Sequence, residues 1–463
     1  PTIENAIVDA NVTANTFSIK IRGGNKMRKN FFKKVLAVTL ASTMAFSMVG
    51  CGNSDSKSEG KKDDGTITLN VWHQWSNDTN ELKGRYEEAV KAYEKDNPNV
   101  KIKTETLDTE AYKTKINAEF AGDAKGIDVF YWWGAGTAKK LVDAGKVMAL
   151  DDYLTDDVKS RMVEGSTSAF EYDGKLYSTP MFSWYMTLFC NKTLFDKAGA
   201  KLPETYDELV DAVKKLKTLD GVTPLAAGAK DGWNAAFVYQ ALALREVGAT
   251  GVNEMLSGKK EFGDEGYKKA AQKVSDLYKL GAFGENPLEQ GNDDANAAFE
   301  NGKAAMRIMG SWFANNVYTD EAATINPEEV VALKIPMISD GNGESTDYCG
   351  GYVESFWVNN NTKYKEEAAK FCIYINEKMG VASYETGSGF SGWTTKADES
   401  KLNPLFIQIK DLLAEGKQGV LAWDTSLEAE PAAVHNEQVQ TLFADGADIN
   451  EFIDEHKAAI NGK

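Results

Sequence analysis

Apolar and polar positions alternate with two distinct periods from Thr66 onward. Thr66 to Trp72 alternates every second residue and carries the β-branched Ile67, Thr68 and Val71, which predicts a strand. Over 78–96, Leu82, Tyr86, Ala89, Val90 and Tyr93 recur at helical spacing, and Asn97-Pro98 predicts the stop. Val100 to Leu107 alternates again, 109–122 reads as a helix, Ile127 to Trp132 is an apolar run of strand length, and 136–145 reads as a short helix. This βαβαβ order predicts a mainly parallel sheet with helices on its faces. Such sheets gather ligands at the carboxyl ends of their strands, here His73-Gln74-Trp75 and Trp132-Trp133-Gly134.

A different pattern precedes this region. Arg28, Lys29, Lys33 and Lys34 form a cationic cluster, and 35–49 is an uncharged apolar run too short to span a bilayer by itself. Gly50-Cys51 follows, then a polar stretch over 52–65. The junction resembles the lipobox of bacterial lipoproteins. That resemblance implies a signal peptide over 27–50, a diacylglycerol on the Cys51 thiol and a flexible tether over 51–65. Two acyl chains hold a protein on a bilayer far better than one, so the expected location is the extracytoplasmic face of the cell membrane. An N-terminal transmembrane helix with an incidental cysteine is the plainer alternative. Residues 1–26 show no sustained periodicity, and Arg22-Gly23-Gly24 ahead of Met27 resembles a translated ribosome-binding site. Translation is therefore expected to begin at Met27, leaving 1–26 as an untranslated upstream segment.

Composition narrows the class. Of 463 residues, 42% are hydrophobic and 26% charged, with 10 prolines, which is the usage of a globular protein. Thr66 to Lys463 is too long for one small domain and suits two lobes of ordinary size. A net charge of −17 argues against nucleic acid or an anionic membrane surface as the main partner. Beyond Cys51, only Cys190, Cys349 and Cys372 remain, at spacings of neither a disulfide framework nor a zinc motif, and they are expected to be small buried hydrophobes. His73, His435 and His456 lack ligand-like spacing, so no metal site, cofactor or catalytic histidine is expected.

Four further segments carry a specific resemblance. Residues 174–199 read Gly-Lys-Leu-Tyr-Ser-Thr-Pro, an aromatic stretch, then Asn191-Lys192-Thr193-Leu194-Phe195-Asp196 and Lys197-Ala198-Gly199. Pro203-Glu204-Thr205-Tyr206 opens a helix over 203–219, and 299–312 read Phe-Glu-Asn-Gly-Lys-Ala-Ala-Met-Arg-Ile-Met-Gly-Ser-Trp. Residues 350–372 hold Gly350-Gly351-Tyr352, a strand, Asn359-Asn360-Asn361-Thr362-Lys363 and a helix from Glu366. In this order and spacing, over roughly 66–460, the set resembles the extracellular solute-binding proteins of carbohydrate ABC importers (family 1). One departure is Phe390-Ser391-Gly392-Trp393, where that family often carries a Leu-Pro pair.

The resemblance implies a periplasmic-binding-protein-like type II fold of class α/β, with two lobes around a ligand cleft. Carried onto this chain, the hinge crossings fall near Thr179-Pro180, near Ser311-Trp312 and near 375–380. Lobe one is then 66–179 plus 313–375, and lobe two 180–312 plus 376–463. The function it implies is binding of an extracellular sugar, expected to be an oligosaccharide, by inter-lobe closure, with delivery to the transmembrane subunits of an ABC permease. It implies a monomer that performs no catalysis. Two alternatives stay open: a ligand-sensing module for a membrane receptor, and an extracellular glycoside hydrolase, which would need two carboxyl groups across a glycosidic bond.

Aromatic usage favours a sugar. Among ten tryptophans, Trp75, Trp133, Trp184, Trp233, Trp312, Trp393 and Trp423 fall at expected loop positions rather than in periodic core stripes. Sugar rings pack flat C–H faces on aromatic rings, while their hydroxyls need planar acceptors and donors. Trp72 and Trp357 lie inside strands and are expected in the core. Trp132 and Trp133 should face opposite ways, with Trp133 toward the cleft. Polar candidates are Gln74, Asn77, Asp78, Tyr352, Glu354 and Asp424, each weighed against a plain surface or loop role.

Overall fold

A computed structural model describes residues 65–77 and 80–462. Cys51, the expected signal and tether around it, and Asp78 lie outside the described residues. The first strands, β1 (Ile67–His73), β2 (Val100–Thr106) and β3 (Val129–Trp133), pair in parallel through the helices Glu81–Asp96 and Thr109–Ala121. The first helix begins where the Asn80 side chain accepts the Leu82 amide at 3.0 Å, and it buries Leu82, Tyr86 and Tyr93, the residues its periodicity predicts.

A β-hairpin, β4 (Glu171–Tyr172) with β5 (Lys175–Leu176), leads to the long β6 (Phe182–Asn191). The helix Tyr206–Leu216 follows, closed at its start by a capping box of Thr205 and Glu208. Then come β7 (Thr223–Ala226), β8 (Ala304–Gly310), β9 (Val330–Leu333), β10 (Asp347–Val358), β11 (Phe390–Ser391) and β12 (Gln418–Val420). The sheet runs β2-β1-β3-β10-β6-β8-β7. The pairs β1–β2, β1–β3, β7–β8 and β10–β12 are parallel. By contrast β10 is antiparallel to both β3 and β6, and β6 to β8, so the sheet is mixed rather than mainly parallel. The βαβ pattern could not reveal this, because the antiparallel members arrive from distant parts of the chain.

Two hydrophobic cores flank the middle of the sheet. One gathers Leu69, Val71, Phe130, Phe356, Trp357 and Met379; the other gathers Leu188, Phe189, Leu225, Tyr239, Met306 and Phe313. Trp72 and Trp357 are both buried in the first, and Cys190, Cys349 and Cys372 are free and buried. Core membership corrects the expected lobe limits. Phe313, Val317, Val330, Ile338 and Cys349 all belong to the second core, so 313–349 stays with lobe two and no crossing occurs at Ser311-Trp312. Phe313 packs edge-on against Phe189 and Phe299, which ties the segment beneath β6.

The second crossing is made inside β10, where Cys349 serves the second core and Glu354 to Val358 pair with the first lobe's strand β3. β6 crosses likewise, with Phe182 in the first core and Trp184 in the second. The last crossing follows Met379: Phe390 packs in the second core and Trp393 in the first.

The β10 crossing depends on glycine. Gly350 and Gly351 have φ of +138° and +152°, and the register against β6 shifts between Tyr352 and Glu354. A Cβ on Gly350 would lie 2.0 Å from the Trp184 carbonyl oxygen. Gly350→Ala is therefore expected to destabilise the fold by about 2 kcal/mol or more, since backbone strain of this kind costs about 1–3 kcal/mol before the clash is added. Gly84 lies in an exposed turn of the helix Glu81–Asp96 with no neighbour near its missing Cβ. Gly84→Ala should stabilise by about 0.5–1 kcal/mol. Urea unfolding of both variants checks the pair; equal effects would contradict the assignment of Gly350 to a strained crossing.

Candidate functional site

The two cores leave between them a cavity of about 730 Å³ lined by side chains of both lobes. The first lobe contributes Gln74, Trp75, Ser76 and Asn77 after β1, Lys113 and Asn117 from the helix Thr109–Ala121, and Trp132 and Trp133 at the end of β3. Trp184, Trp233, Phe237, Trp312, Asn296 and Asp424 come from the second lobe, and Glu354 from β10 between them. The strand ends marked by the sequence thus lie on the cavity wall. Alternation would send Trp132 away from it, yet Trp132 lines it together with Trp133. At a strand terminus no further pleat holds the two rings apart, and they meet edge to face at 5.5 Å.

Aromatic rings line both walls. In the second lobe Trp184 stacks on Phe237 at 5.3 Å and meets Trp312 edge-on at 5.1 Å, while Trp233 stands edge-on to Phe237 at 5.3 Å. Trp233 and Trp312 remain half-buried, with surface left to the cavity. Trp133 stands opposite, supported edge-on by Tyr131 at 5.2 Å. The Lys113 ammonium lies 5.1 Å from the Trp133 ring and 5.9 Å from the Trp233 ring, and it pairs with Glu110 at 3.1 Å. Two buried polar atoms of the wall, Gln74 Oε1 and Trp132 Nε1, have no hydrogen-bond partner among the described residues. Such atoms are uncommon in a finished core and are suited to a ligand.

The loop after Trp133 is built by close backbone approach. Ala135 has φ +52°; its amide donates to the Ala169 carbonyl at 2.6 Å, and its carbonyl accepts the Tyr172 hydroxyl at 2.7 Å. A Cβ on Gly136 would lie 2.2 Å from the Ser426 carbonyl oxygen, so the start of the helix Gly136–Asp143 rests directly on backbone of the other lobe. The Thr137 hydroxyl crosses too, donating to the Thr425 carbonyl at 3.2 Å. The lobes therefore meet at the cavity rim as well as through the sheet.

Three expected site residues lie elsewhere. Trp393 is buried in the first core, with its indole N–H donating to the Pro180 carbonyl at 2.6 Å. Trp423 is buried in the second core, stacked on His435 at 4.9 Å and edge-on to Tyr239 at 5.5 Å. Its backbone N–H starts a one-way chain: Trp423 N donates to Gln240 Oε1 (3.4 Å), Gln240 Nε2 to His435 Nε2 (3.0 Å), His435 Nδ1 to His456 Nε2 (2.9 Å), and His456 Nδ1 to the Phe452 carbonyl (2.9 Å). Both rings must be neutral to satisfy it, and burial pushes both histidines below their usual range. Tyr352 donates its hydroxyl to the Ser391 carbonyl at 3.1 Å and does not line the cavity. Short segments between helices gave these residues the look of loop positions, but such segments cross the interior here.

Glu354 is the buried carboxyl of the site. Burial pushes it up to about 7, against the pull of Tyr131, Trp133 and Lys113 beside it. Burial also raises Asp424, which Lys113 partly offsets. Sequence reasoning missed Lys113, Asn292, Asn296 and Asn436, all on the cavity wall. They sit on helices whose polar faces read as solvent-exposed.

The family profile described as bacterial extracellular solute-binding protein matches residues 77–381. The multiple sugar-binding protein of Streptococcus mutans is 23% identical over 81% of this chain and 86% of its own length. An uncharacterized ABC transporter extracellular-binding protein of Pyrococcus horikoshii is 27% identical over 73% of this chain and 77% of its own. Among solved structures, one from work on xylan utilization by the thermophilic bacterium Caldanaerobius polysaccharolyticus superposes with a TM-score of 0.81 at 36% identity, covering 85% of this chain and all (100%) of that one. A chitin oligosaccharide binding protein, at 21% identity and a TM-score of 0.77 over 86% of this chain and 98% of its own, shares the fold.

The Glu354 carboxyl makes a testable signature. Its folded value of about 7 lies above the unfolded one, so the folded state keeps a proton the unfolded chain releases. The stability this confers is full at low pH and is lost as pH rises through about 7. Glu354→Gln should raise unfolding free energy at pH 8 by up to about 3 kcal/mol, and by far less at pH 5. Thermal unfolding at the two pH values measures this; a gain of equal size at both would overturn the buried-charge assignment.

Proposed function

This chain belongs to the bacterial extracellular solute-binding proteins, and we propose that it captures an extracellular oligosaccharide between its lobes and presents the closed form to an ABC permease. The observation that carries the reading is the cavity itself. Tryptophans stand on both walls, with Gln74, Asn296, Glu354 and Asp424 between them. Its volume of about 730 Å³ falls within the range of about 300–1,000 Å³ usual for small-molecule sites. Aromatic faces on opposite walls suit stacked sugar rings, and the placed acceptors and donors suit their hydroxyls. The sugar named for the Streptococcus mutans relative and the xylan context of the Caldanaerobius structure support the same class. Contacts from both lobes exist together only when the cleft is shut, so ligand shifts the population toward closure.

The further expectations of the reading are a monomer that binds without catalysis and a lipid anchor at Cys51 on the extracytoplasmic membrane face. A hydrolase reading draws on two carboxyl groups raised by burial in one cleft, Glu354 and Asp424. Family membership weighs against it, and chromatography of oligosaccharides incubated with purified protein separates the two, with no products expected.

A thermal-shift screen with xylo-, cello-, malto- and chito-oligosaccharides of one to five units tests the ligand. Stabilisation of about 2.7 kcal/mol is expected at a hundredfold excess over Kd. Trp133→Ala and Trp233→Ala should each weaken binding by about 2 kcal/mol with little change in the ligand-free protein. Trp423→Ala should instead cost about 3–5 kcal/mol of folding free energy. Shifts with amino acids or polyamines and none with any sugar would defeat the reading. For the anchor, Cys51→Ala should leave the protein unprocessed or released from membranes; a variant processed and membrane-bound like the wild type would rule the anchor out.

A further inference from the structure

Arg307 lies in β8 with none of its surface exposed, among Ala304, Ala305, Met306, Ile308 and Met309. Its guanidinium is held by neutral groups. Nε donates to Asn296 Oδ1 at 2.8 Å, and one terminal nitrogen donates to the Ala226 carbonyl at 3.2 Å. The other donates to Asn292 Oδ1 at 2.9 Å, to Asn234 Oδ1 at 3.3 Å and to the Asn292 carbonyl at 3.5 Å. Glu300, Asp293 and Asp231 act on it only through space, and burial lowers it to about 9. A buried cation without a bonded carboxylate is costly, and an apolar side chain in the same strand would be cheaper. Tying a helix to a sheet does not call for it.

What a guanidinium does that methionine cannot is fix polarity. It has donors only, so every asparagine facing it must turn its oxygen inward and its amide nitrogen outward. Asn234 gives that nitrogen to Asn292 Oδ1 at 3.3 Å, and Asn292 gives its own to Asp293 Oδ1 at 3.0 Å. Asn296 stands one helical turn beyond Asn292 and lines the cavity, and among the described residues its Nδ2 makes no hydrogen bond.

We propose that Arg307 is a positioning residue for ligand recognition, fixing Asn296 as a one-way donor on the second-lobe wall. The ligand must then present an acceptor oxygen there, either a hydroxyl or the ring or bridging oxygen of a sugar chain. This rests on the sugar reading of the cleft. Glu354 and Asp424 supply acceptors to the same cavity. A hydroxyl chain between them and Asn296 can donate at one end and accept at the other, and each bond strengthens the next.

Asn296→Asp separates this role from a purely structural one. The new carboxylate keeps the shape and gives Arg307 a bonded counter-charge, so Tm should stay level or rise. It also replaces the donor facing the cavity by an acceptor, so affinity should fall by at least about tenfold. Arg307→Lys, which cannot hold Asn292 and Asn296 together, should also weaken binding, with Kd read on the folded fraction. Calorimetry with the tightest of xylotriose, cellotriose, maltotriose and chitotriose measures Kd, and scanning calorimetry measures Tm. Asn296→Asp binding as tightly as wild type would overturn the proposal, and so would a clear drop in its Tm, which would mean that Asn296 does not face Arg307 with its oxygen. Wild-type protein binding none of the four sugars would remove the sugar reading and with it this inference, while the Tm comparison would still report the asparagine's orientation.

Discussion

The antiparallel ladder of β6 on β10 is the constraint on which the rest of the molecule depends. Both strands run from one core into the other, so the lobes can move mainly by swinging about this ladder. Its first-lobe end is locked by buried polar groups. Ser178 and Ser355 share a hydrogen bond of 2.6 Å, Ser355 also donates to the Thr179 carbonyl at 2.5 Å, and Asn376 accepts the Phe356 amide at 2.7 Å. Satisfied networks of this kind rigidify what they join. Glu354 directly precedes Ser355, so the buried carboxyl of the cavity adjoins this network. Gly350 and Gly351, four and three residues before Glu354, supply the bend.

Electrostatics divides the second lobe from the cleft. The chain from Trp423 through His435 to Phe452 needs neutral imidazoles. His456 has a folded value of about 4, below its unfolded one, so its contribution is present above the unfolded value and is lost as pH falls toward 4. Glu354 runs the opposite way, costing stability as pH rises. A cavity-wall carboxyl held against its preference costs stability at neutral pH, while the histidine chain of the lobe behind it needs a pH above the His456 value.

Much of the architecture was legible in the chain. Period-2 and period-3.6 patterns located β1, β2 and the first helices, while β3 showed as an apolar run because Val129 to Trp132 are buried on both faces. Trp133, Trp233 and Trp312 were legible as cavity aromatics because they end a strand or begin a helix. Trp393 and Trp423 were not, since an interior loop and a surface loop have the same local composition. The β10 crossing was hidden for another reason: a strand that changes partners midway keeps its alternation and gives no turn signal. Asn296 was invisible because its partner Arg307 is eleven residues away in sequence but in contact in space.

The contact of Gly136 on Ser426 has a consequence for how far the rim can close. Most clefts shut side chain on side chain, and side chains yield. Here main chain meets main chain, with no rotamer to move and no room even for a methyl group. The close approach of Gly136 to Ser426 leaves no slack, so the two lobes cannot draw nearer at this rim without a shift of backbone. Any further narrowing of the cleft would fall to the rings on its walls, Trp133 and Trp233, which keep side-chain torsions to turn.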